Sequence, residues 1–146
     1  MKTQNKQIKF RVWVDDEKRF RYCEYIPTMG FVWLITGAIG KEIPQAATLE
    51  FLEIGENYPQ QFTGLVDKNG KDVYEGDILS SEVNEKPCNY IVKWGDDRSD
   101  YCGFVLNPVM KNPPRITYHI HNFKIWMAEG FKVIGNLIEN SELLKI

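Results

Sequence analysis

A tight turn at residues 67–71 constrains the fold of this chain more than any other sequence feature. Asp67-Lys68-Asn69-Gly70-Lys71 lies between two short runs of strand-forming residues, Phe62 to Leu65 and Val73 to Tyr74. Asn-Gly is the strongest short-range hairpin signal, since both residues tolerate the positive φ that a type I′ turn requires. The sequence therefore predicts a β-hairpin with a type I′ turn at this place.

A second hairpin is predicted near the N-terminus. Apolar residues alternate with others from Ile8 to Val14, the acidic cluster at 15–17 turns the chain, and Arg19 to Tyr25 returns. A period of two with a polar partner face is typical of a half-buried strand. Three side chains would share the polar partner face: Lys9, Arg11 and Trp13.

Further short strands follow, separated by turn residues. They are expected at 31–35, 78–79, 90–94, 103–106, 115–125 and 131–138, and the prolines and asparagines of 107–114 indicate a loop. Gly76 suggests a bulge or a sharp change of direction before Ile78. Residues 45–57 fit a short helix or an irregular strand, and Asn140 is a good N-cap for one helical turn over 141–144.

These patterns predict the fold class and the domain organisation. Short strands with regular turn signals favour a mainly β, β-rich α+β fold, in which antiparallel strands curl into a small barrel-like sheet with minor helix. The length of 146 residues and the 43% of apolar residues fit one domain with a real core. We expect a disordered N-terminal tail at 1–7 and a single domain at 8–146.

The composition also bears on the compartment. The longest apolar run, Phe31 to Ile35, is far shorter than the ~20 residues that a membrane span needs, and no apolar signal-peptide core follows Met1. The three cysteines are odd in number and widely spaced, which argues against a disulfide framework and a zinc ribbon. A cytoplasmic protein without membrane contact is expected.

The charge distribution suggests one candidate binding surface. The net charge is −2, but residues 1–21 carry seven Lys or Arg against three acids, a net of +4. Such a hairpin could contact nucleic acid or an acidic partner, although charge runs are more often solvated strand faces. Trp13 suits stacking on a base or a protein interface, and a second apolar layer would bury it equally well. The candidate partner-binding residues are Arg11, Trp13, Arg19 and Arg21.

Catalytic chemistry has weaker support. His119 and His121 would project from one strand face, as two metal ligands do, but no third ligand stands out in the sequence. No nucleophile motif, phosphate-binding glycine spacing or cofactor motif is present. We therefore predict no catalytic, metal or cofactor residues. Four acids near the Asn-Gly turn are interpreted as exposed turn formers rather than as an active site: Asp67, Asp72, Glu75 and Asp77.

The segments together resemble the YopX-like family of phage and prophage proteins. The central similarity covers Gln61 to Leu65, Asp67 to Lys71 and Val73 to Ile78, with Ile8 to Trp13 as the opening strand. The C-terminal part of the family pattern is resembled by Val133 to Asn136, Glu139-Asn140 and Glu142 to Leu144. The departures are Val14 in place of an acid, Val66 in place of a lysine and Ser141 in place of a proline. The resemblance implies a strand-rich protein of mobile elements that could form oligomers, in a family without an established chemistry.

Three functional hypotheses follow. The first is a non-enzymatic binding or interaction module, with self-association as its simplest version. The second is nucleic-acid binding through the basic N-terminal hairpin. The third is a metal-dependent enzyme that uses the His119 and His121 pair.

Overall fold

Ten strands make up most of the regular structure of the described chain. The computed structural model describes residues 8–26, 30–34, 59–81, 88–96, 99–114, 118–120 and 129–145. The strands are β1 (Lys9–Val14), β2 (Arg19–Ile26), β3 (Gly30–Leu34), β4 (Gln60–Val66), β5 (Asp72–Tyr74), β6 (Asp77–Ser81), β7 (Cys88–Asp96), β8 (Ser99–Pro108), β9 (Tyr118–His119) and β10 (Phe131–Asn136). A 3₁₀ helix covers Ser141–Leu144.

The strands form two five-stranded sheets. Their orders are β3-β2-β1-β4-β5 and β10-β6-β7-β8-β9. The predicted mainly β, antiparallel fold class is confirmed, and one sheet is curled into a half-barrel. The chain divides into two compact units, Met1–Gly64 and Leu65–Ile146. The single domain at 8–146 stays a prediction, and the expected tail at 1–7 and the element at 45–57 lie outside the described residues.

The predicted N-terminal hairpin is present in the first unit. β1 and β2 pair antiparallel, joined by a turn in which Lys18 takes a positive φ of 53°. Since directly opposed residues point to the same face, the register assigns side chains to faces. Arg11 and Trp13 share one face with their partners Tyr22 and Phe20, whereas the other face carries Val12, Val14, Arg19 and Arg21.

The prediction of a half-buried β1 is wrong. The four residues from Arg11 to Val14 are all buried, so both faces of the strand are covered. Alternation in the sequence correctly assigns the two faces. It does not reveal that the long side chains of Arg11 and Trp13 are themselves packed against an aromatic neighbour.

The second unit has its own apolar core. Its members come from β6, β7, β8 and β10, from the hairpin that precedes them and from Ile120, directly after β9. The paired members on β8 and on β10 are two residues apart, as period two requires. Tyr90 and Tyr118 pack against this core. The buried members are Leu65, Val73, Leu79, Val92, Phe104, Leu106, Ile120, Phe131 and Val133.

The hairpin at residues 67–71 is present, but its turn is not type I′. Gly70 has a φ of +77°, whereas Asn69 is not among the described residues with positive φ. The N–H of Gly70 donates to the carbonyl of Asp67 (3.0 Å), and the N–H of Asp67 donates to the carbonyl of Lys71 (2.9 Å). This is the pattern of a three-residue loop that ends in a glycine bulge. The Asp67 side chain favours this loop, because its carboxylate accepts hydrogen bonds from the turn that follows it.

Other boundaries differ from prediction in detail. Gly76, with φ +83°, lies between β5 of one sheet and β6 of the other, which confirms the predicted change of direction. β8 continues to Pro108, and β10 ends at Asn136 rather than at 138. The helical turn over 141–144 is confirmed, but the Asn140 side chain does not cap it. Within the described residues, no helix is long and apolar enough to cross a membrane.

Candidate functional site

Asp67 is the centre of a hydrogen-bond network that holds the hairpin in place. Its Oδ1 accepts the N–H of Asn69 (2.8 Å) and the N–H of Lys71 (2.9 Å). Its Oδ2 accepts the N–H of Val133 on β10 (2.9 Å). The adjacent Lys68 N–H donates to the carbonyl of Phe131 (3.0 Å). One carboxylate therefore closes the turn and also joins it to a strand 66 residues away.

This environment sets the ionisation of Asp67. Burial opposes the charged form, since only 3% of the residue is exposed. Hydrogen bonds from the backbone of Val133, Lys71 and Asn69 outweigh that effect and hold the pKa of Asp67 below its usual value. The carboxylate is therefore ionised at neutral pH and already occupied by three donors. Such a group is poorly suited to general acid–base catalysis, which needs a pKa near the working pH.

Asp77 has a similar structural role at the next turn. Its Oδ2 accepts the N–H of Tyr74 (2.8 Å), and only 1% of the residue is exposed. Gly76 lies between Tyr74 and Asp77 in the chain. Its N–H donates to the carbonyl of Val92 (2.8 Å), and its carbonyl accepts the N–H of Leu137 (2.9 Å). The turn between β5 and β6 is thereby tied to both β7 and the segment after β10.

The closing segment forms a third network. The Oδ1 of Asn136 accepts the N–H groups of Ile138 (3.0 Å) and Glu139 (2.9 Å), and its Nδ2 donates to Glu139 Oε2 (2.7 Å). Asn140 Oδ1 accepts the Asn136 N–H (3.2 Å). This side chain packs against Gly135 so closely that an added Cβ would lie 2.5 Å from Asn140 Oδ1. A Cβ at residue 135 would therefore force the Asn140 side chain to move.

The prediction that the acids near the turn are exposed is wrong for two of them. Asp67 and Asp77 are buried, while Asp72 and Glu75 are half-buried. Their role in forming turns is confirmed for the buried pair by the hydrogen bonds to backbone N–H groups. The long motif at residues 61–78 acts here as a scaffold for the second unit.

Arg11 and Trp13 lie on the face of the first unit that carries Phe20. The Arg11 Nε donates to Gln60 Oε1 (2.9 Å), and its guanidinium carbon lies 4.2 Å from the centroid of the Phe20 ring. Trp13 meets the same ring edge-on, with centroids 5.1 Å apart. Both residues are buried, with 4% and 7% exposed, so of the two alternatives for Trp13 the structure shows the buried one.

Arg19 and Arg21 lie on the opposite face, where both bind Glu17. The Arg19 Nε donates to Glu17 Oε2 (2.7 Å), and Arg21 donates to both carboxylate oxygens through its Nε and Nη2. These hydrogen bonds, that of Arg21 first, lower the pKa of Glu17 to about 2. The four predicted partner-binding residues are thus divided between two faces and form no single surface. Their role in binding stays a prediction.

Of the two histidines, only His119 lies in the described part of the chain. It is on β9 opposite Val105 and is half-buried, whereas His121 lies outside the described residues. Among the described side chains, no three His, Cys, Asp or Glu residues are grouped as a metal site requires. Cys88 and Cys102 are not joined by a disulfide. Metal binding through the two histidines stays a prediction.

Trp94 forms an apolar surface that the sequence did not single out. On β7 and β8, Trp94 is paired with Phe104 and Val92 with Leu106, so Trp94 points to the core face. The Trp94 and Phe104 rings meet edge-on with centroids 4.8 Å apart. Phe104 is buried, yet 53% of Trp94 is exposed, the largest value among the exposed apolar residues of the described chain.

The position of Trp94 explains its exposure. Gly95 follows with a φ of +77° and interrupts the register between Trp94 and Asp96, so the regular core face ends there. A signal for this was present in the sequence. A tryptophan directly before Gly95-Asp96-Asp97 lies close to the end of its strand, where fewer core side chains are available to cover it.

The comparisons with known proteins agree with the fold. The family model described as YopX protein matches residues 9–145. A solved structure, the crystal structure of protein EF1440 from Enterococcus faecalis, is similar with a TM-score of 0.51 and 26% sequence identity, over 94% of this chain and 98% of that chain. No functionally curated protein matches. Because the family model covers nearly the whole chain, this protein belongs to the YopX protein family.

Proposed function

We propose that the protein is a non-enzymatic interaction module that binds a protein segment through the surface around Trp94. The observation that carries the proposal is the exposure of a tryptophan on the core face of a regular hairpin. Tryptophan is enriched among the few residues that dominate protein–protein binding energies. A phage or prophage origin and a cytoplasmic location belong to the same proposal and rest on the sequence.

A rigid support makes Trp94 suited to this role. The indole is held by the paired strands β7 and β8 and by its edge-on contact with Phe104. An anchor that is already ordered before binding loses little conformational entropy when a partner covers it. No hydrogen bond of the Asp67 and Asp77 networks described above involves the Trp94 side chain.

The charge of the sequence that follows Trp94 favours a partner with Lys or Arg. Residues 96–100, where the chain passes from β7 to β8, carry three carboxylates and one guanidinium: Asp96, Asp97, Arg98 and Asp100. A cationic side chain is attracted both by carboxylates and by the face of an indole ring. The same net negative charge disfavours a phosphate backbone here. The proposed occupant is therefore a protein segment that carries a Lys or Arg side chain.

The expected energy follows from the area that a partner would cover. A buried tryptophan covers 150–250 Å², so covering its exposed half buries about 100 Å² of largely apolar surface. At about 25 cal/mol per Å² this is worth about 2.5 kcal/mol, or about sixtyfold in Kd. Trp94→Ala should weaken binding by that factor, and loss of the edge-on contact with Phe104 should lower the unfolding free energy by about 1 kcal/mol, so the chain stays folded.

The experiment identifies the partner and then measures its affinity. A photo-reactive phenylalanine analogue at position 94 keeps an aromatic ring at this place, and irradiation in an extract of the source cells should give one main adduct. Mass spectrometry identifies the adduct, and its affinity is measured for the wild type, Trp94→Ala and Ile138→Ala. Ile138, 36% exposed in the turn after β10, is the matched control.

Each result bears on the proposal. A loss of affinity in Trp94→Ala with wild-type binding by Ile138→Ala supports it. Equal binding by the wild type and Trp94→Ala contradicts it. An adduct with a second copy of this chain supports binding through the Trp94 surface and contradicts the choice of a foreign protein segment as the partner. An adduct with nucleic acid overturns the choice of partner.

Nucleic-acid binding by the N-terminal hairpin has its own test. What supports it is the net charge of +4 over residues 1–21 and the exposure of 41% of the Arg19 side chain. It predicts affinity for a single-stranded oligonucleotide that falls steeply with salt. Charge reversal at Arg19 and Arg21 that leaves this affinity unchanged would rule the hypothesis out.

A further inference from the structure

The outer edge of β10 is occupied by the hairpin turn rather than by another described strand. Among the described strands, β10 ends its sheet, with β6 as its neighbour on the inner side. On the outer side, the Phe131 carbonyl accepts the Lys68 N–H, and the Val133 N–H donates to Asp67 Oδ2. Backbone groups two residues apart on an antiparallel strand point to the same edge. The turn thus takes the Phe131 carbonyl and the Val133 N–H of this edge segment.

We propose that the Asp67-Lys68 turn is a built-in edge cap that prevents β10 from pairing with β10 of a second copy of the chain. An uncovered strand edge is a template for pairing with another chain. A carboxylate is an effective terminator, because it accepts a hydrogen bond and offers no donor that could continue a ladder. The cap therefore satisfies the edge and ends it.

A second feature of β10 has the same effect. Lys132 lies between Phe131 and Val133 and is exposed. Lysine on an edge strand opposes edge-to-edge association, since two copies would bring their ammonium groups together. Lys68, on the turn itself, adds a further cation beside this edge. Lys68 and Lys132 thus oppose the approach of a second β10 strand by charge repulsion. They do not occupy the Val133 N–H, which among the described side chains only Asp67 does.

The occupant expected after loss of the cap is the same strand of another molecule. Two β10 strands related by a two-fold axis would pair antiparallel, and each would satisfy the outer groups of the other. A self-complementary contact of this kind needs no other partner. The site of pairing would be Phe131 to Val133, the segment that the turn covers here.

The two oxygens of Asp67 make the proposal testable with a near-isosteric change. In Asp67→Asn, the amide oxygen can still accept the N–H groups of Asn69 and Lys71. The NH₂ group then faces the Val133 N–H, so donor meets donor and this link to β10 is lost, which leaves, of the bonds to β10 described above, only that from the Lys68 N–H to the Phe131 carbonyl. Lys71 is the cation that acts on the Asp67 carboxylate. The substitution also removes the attraction between Lys71 and the Asp67 carboxylate. This second effect acts inside the turn and does not involve β10.

Sedimentation velocity over a concentration series tests the cap. Compared with the wild type, Asp67→Asn should associate at least about tenfold more strongly, since each copy gains hydrogen bonds for an exposed edge. The added association should disappear in Asp67→Asn/Val133→Pro, because proline has no N–H with which to pair. A folded Asp67→Asn that associates like the wild type overturns the proposal.

Two further variants separate the role of the carboxylate from a general loosening of the turn. Gly70→Ala strains the same turn through its positive φ of +77° but keeps the carboxylate, so its association should match the wild type. Stronger association in Gly70→Ala would mean that any loosened hairpin exposes the edge, which also overturns the role of Asp67. If Asp67→Asn does not fold, Asp67→Ser replaces it, because its hydroxyl can support the turn and is too short to reach β10.

Discussion

Two carboxylates of the described chain, those of Glu17 and Asp67, accept several hydrogen bonds from neighbours within their own unit. Glu17 is bound by two guanidinium groups, and Asp67 by three backbone N–H groups from two separate segments. The two carboxylates differ in setting. Glu17 lies in a surface turn, where ion pairs contribute little to stability, whereas Asp67 is buried and its partners are backbone donors. The titration of Glu17 therefore reports on a surface ion pair, and that of Asp67 on the hairpin itself.

The first prediction concerns Glu17. Arg21 makes the largest contribution to its lowered pKa, followed by Arg19. Arg21→Gln should therefore raise the pKa of Glu17 from about 2 toward its usual value of 4.5, and Arg19→Gln should raise it less. Carboxyl carbon shifts measured by NMR through an acid titration check both values. An unchanged titration in Arg21→Gln would show that the ion pair is absent in solution.

The second prediction concerns the pH dependence of stability. The pKa of Asp67 is lower in the folded chain, so its ionisation stabilises the fold above the usual value of 3.8. This contribution is lost as the pH falls through the lowered folded value. Asp67→Asn lacks it. The difference in unfolding free energy between the wild type and Asp67→Asn should be large near neutral pH and should shrink in acid.

Urea denaturation at a series of pH values measures that difference. Asp72→Asn is the control, because it removes a carboxylate of the same hairpin that is half-buried rather than buried. At neutral pH, Asp72→Asn should lower the unfolding free energy less than Asp67→Asn does, because the Asp72 carboxylate is only half-buried. A gap between the wild type and Asp67→Asn that stays constant through the acid range would contradict the ionised, bonded state of Asp67.

At the level of elements, the tight turns depend on glycine for two different reasons. Gly70 is needed for its positive φ, and an added Cβ there would meet nothing within 4 Å. Gly135 is needed because the Asn140 side chain occupies the place of a Cβ. The stability lost on substitution of Gly135 should therefore be recovered by a smaller residue at position 140. That lost at Gly70 should depend on how well the new residue tolerates a positive φ.

The third prediction is a rescue at the closing turn. Gly135→Ala should cost about 1–3 kcal/mol, because the methyl group would overlap Asn140 and displace its bond to the Asn136 N–H. In an Asn140→Gly background the same substitution should cost much less. Chemical denaturation of the two single variants and the double variant gives the coupling energy. Strictly additive effects would show that the two residues are not in contact.

The fourth prediction separates the two reasons for glycine. Gly70→Ala should lose about 1 kcal/mol from the left-handed backbone alone. Gly70→Asn should lose less, since asparagine tolerates this conformation better than alanine does. Thermal unfolding of the two variants, compared with the wild type, ranks them. A more stable Gly70→Ala than Gly70→Asn would contradict the conformation of this loop.

For the whole molecule, the strands could be predicted from sequence because their signals are local. Alternation assigned the faces of β1, and turn residues located most boundaries between strands. The long-range partners could not be predicted in this way. Nothing within residues 61–78 shows that the second oxygen of Asp67 binds β10, since that contact joins residues far apart in the chain.

The same limit explains the outcome for the candidate site. A pattern of charge groups Arg11 and Trp13 with Arg19 and Arg21, because all four are close in sequence. In the register of β1 and β2, Arg19 and Arg21 lie opposite Val14 and Val12, the residues that alternate with Arg11 and Trp13. The two arginines of β2 therefore point to the other face of the sheet. Trp94 was not predicted as a candidate residue for a different reason. Its strand was recognised, but its exposure depends on where the core ends around it.

The central claim is that the Asp67 hairpin is a structural link to β10, and amide hydrogen exchange at Val133 tests it most directly. We predict that the Val133 N–H is protected in the wild type and exchanges much faster in Asp67→Asn, while the Tyr74 N–H, held by Asp77, is unchanged. Asp77→Asn should give the reverse pattern. A Val133 N–H that exchanges at the same rate in the wild type and in Asp67→Asn would contradict the claim.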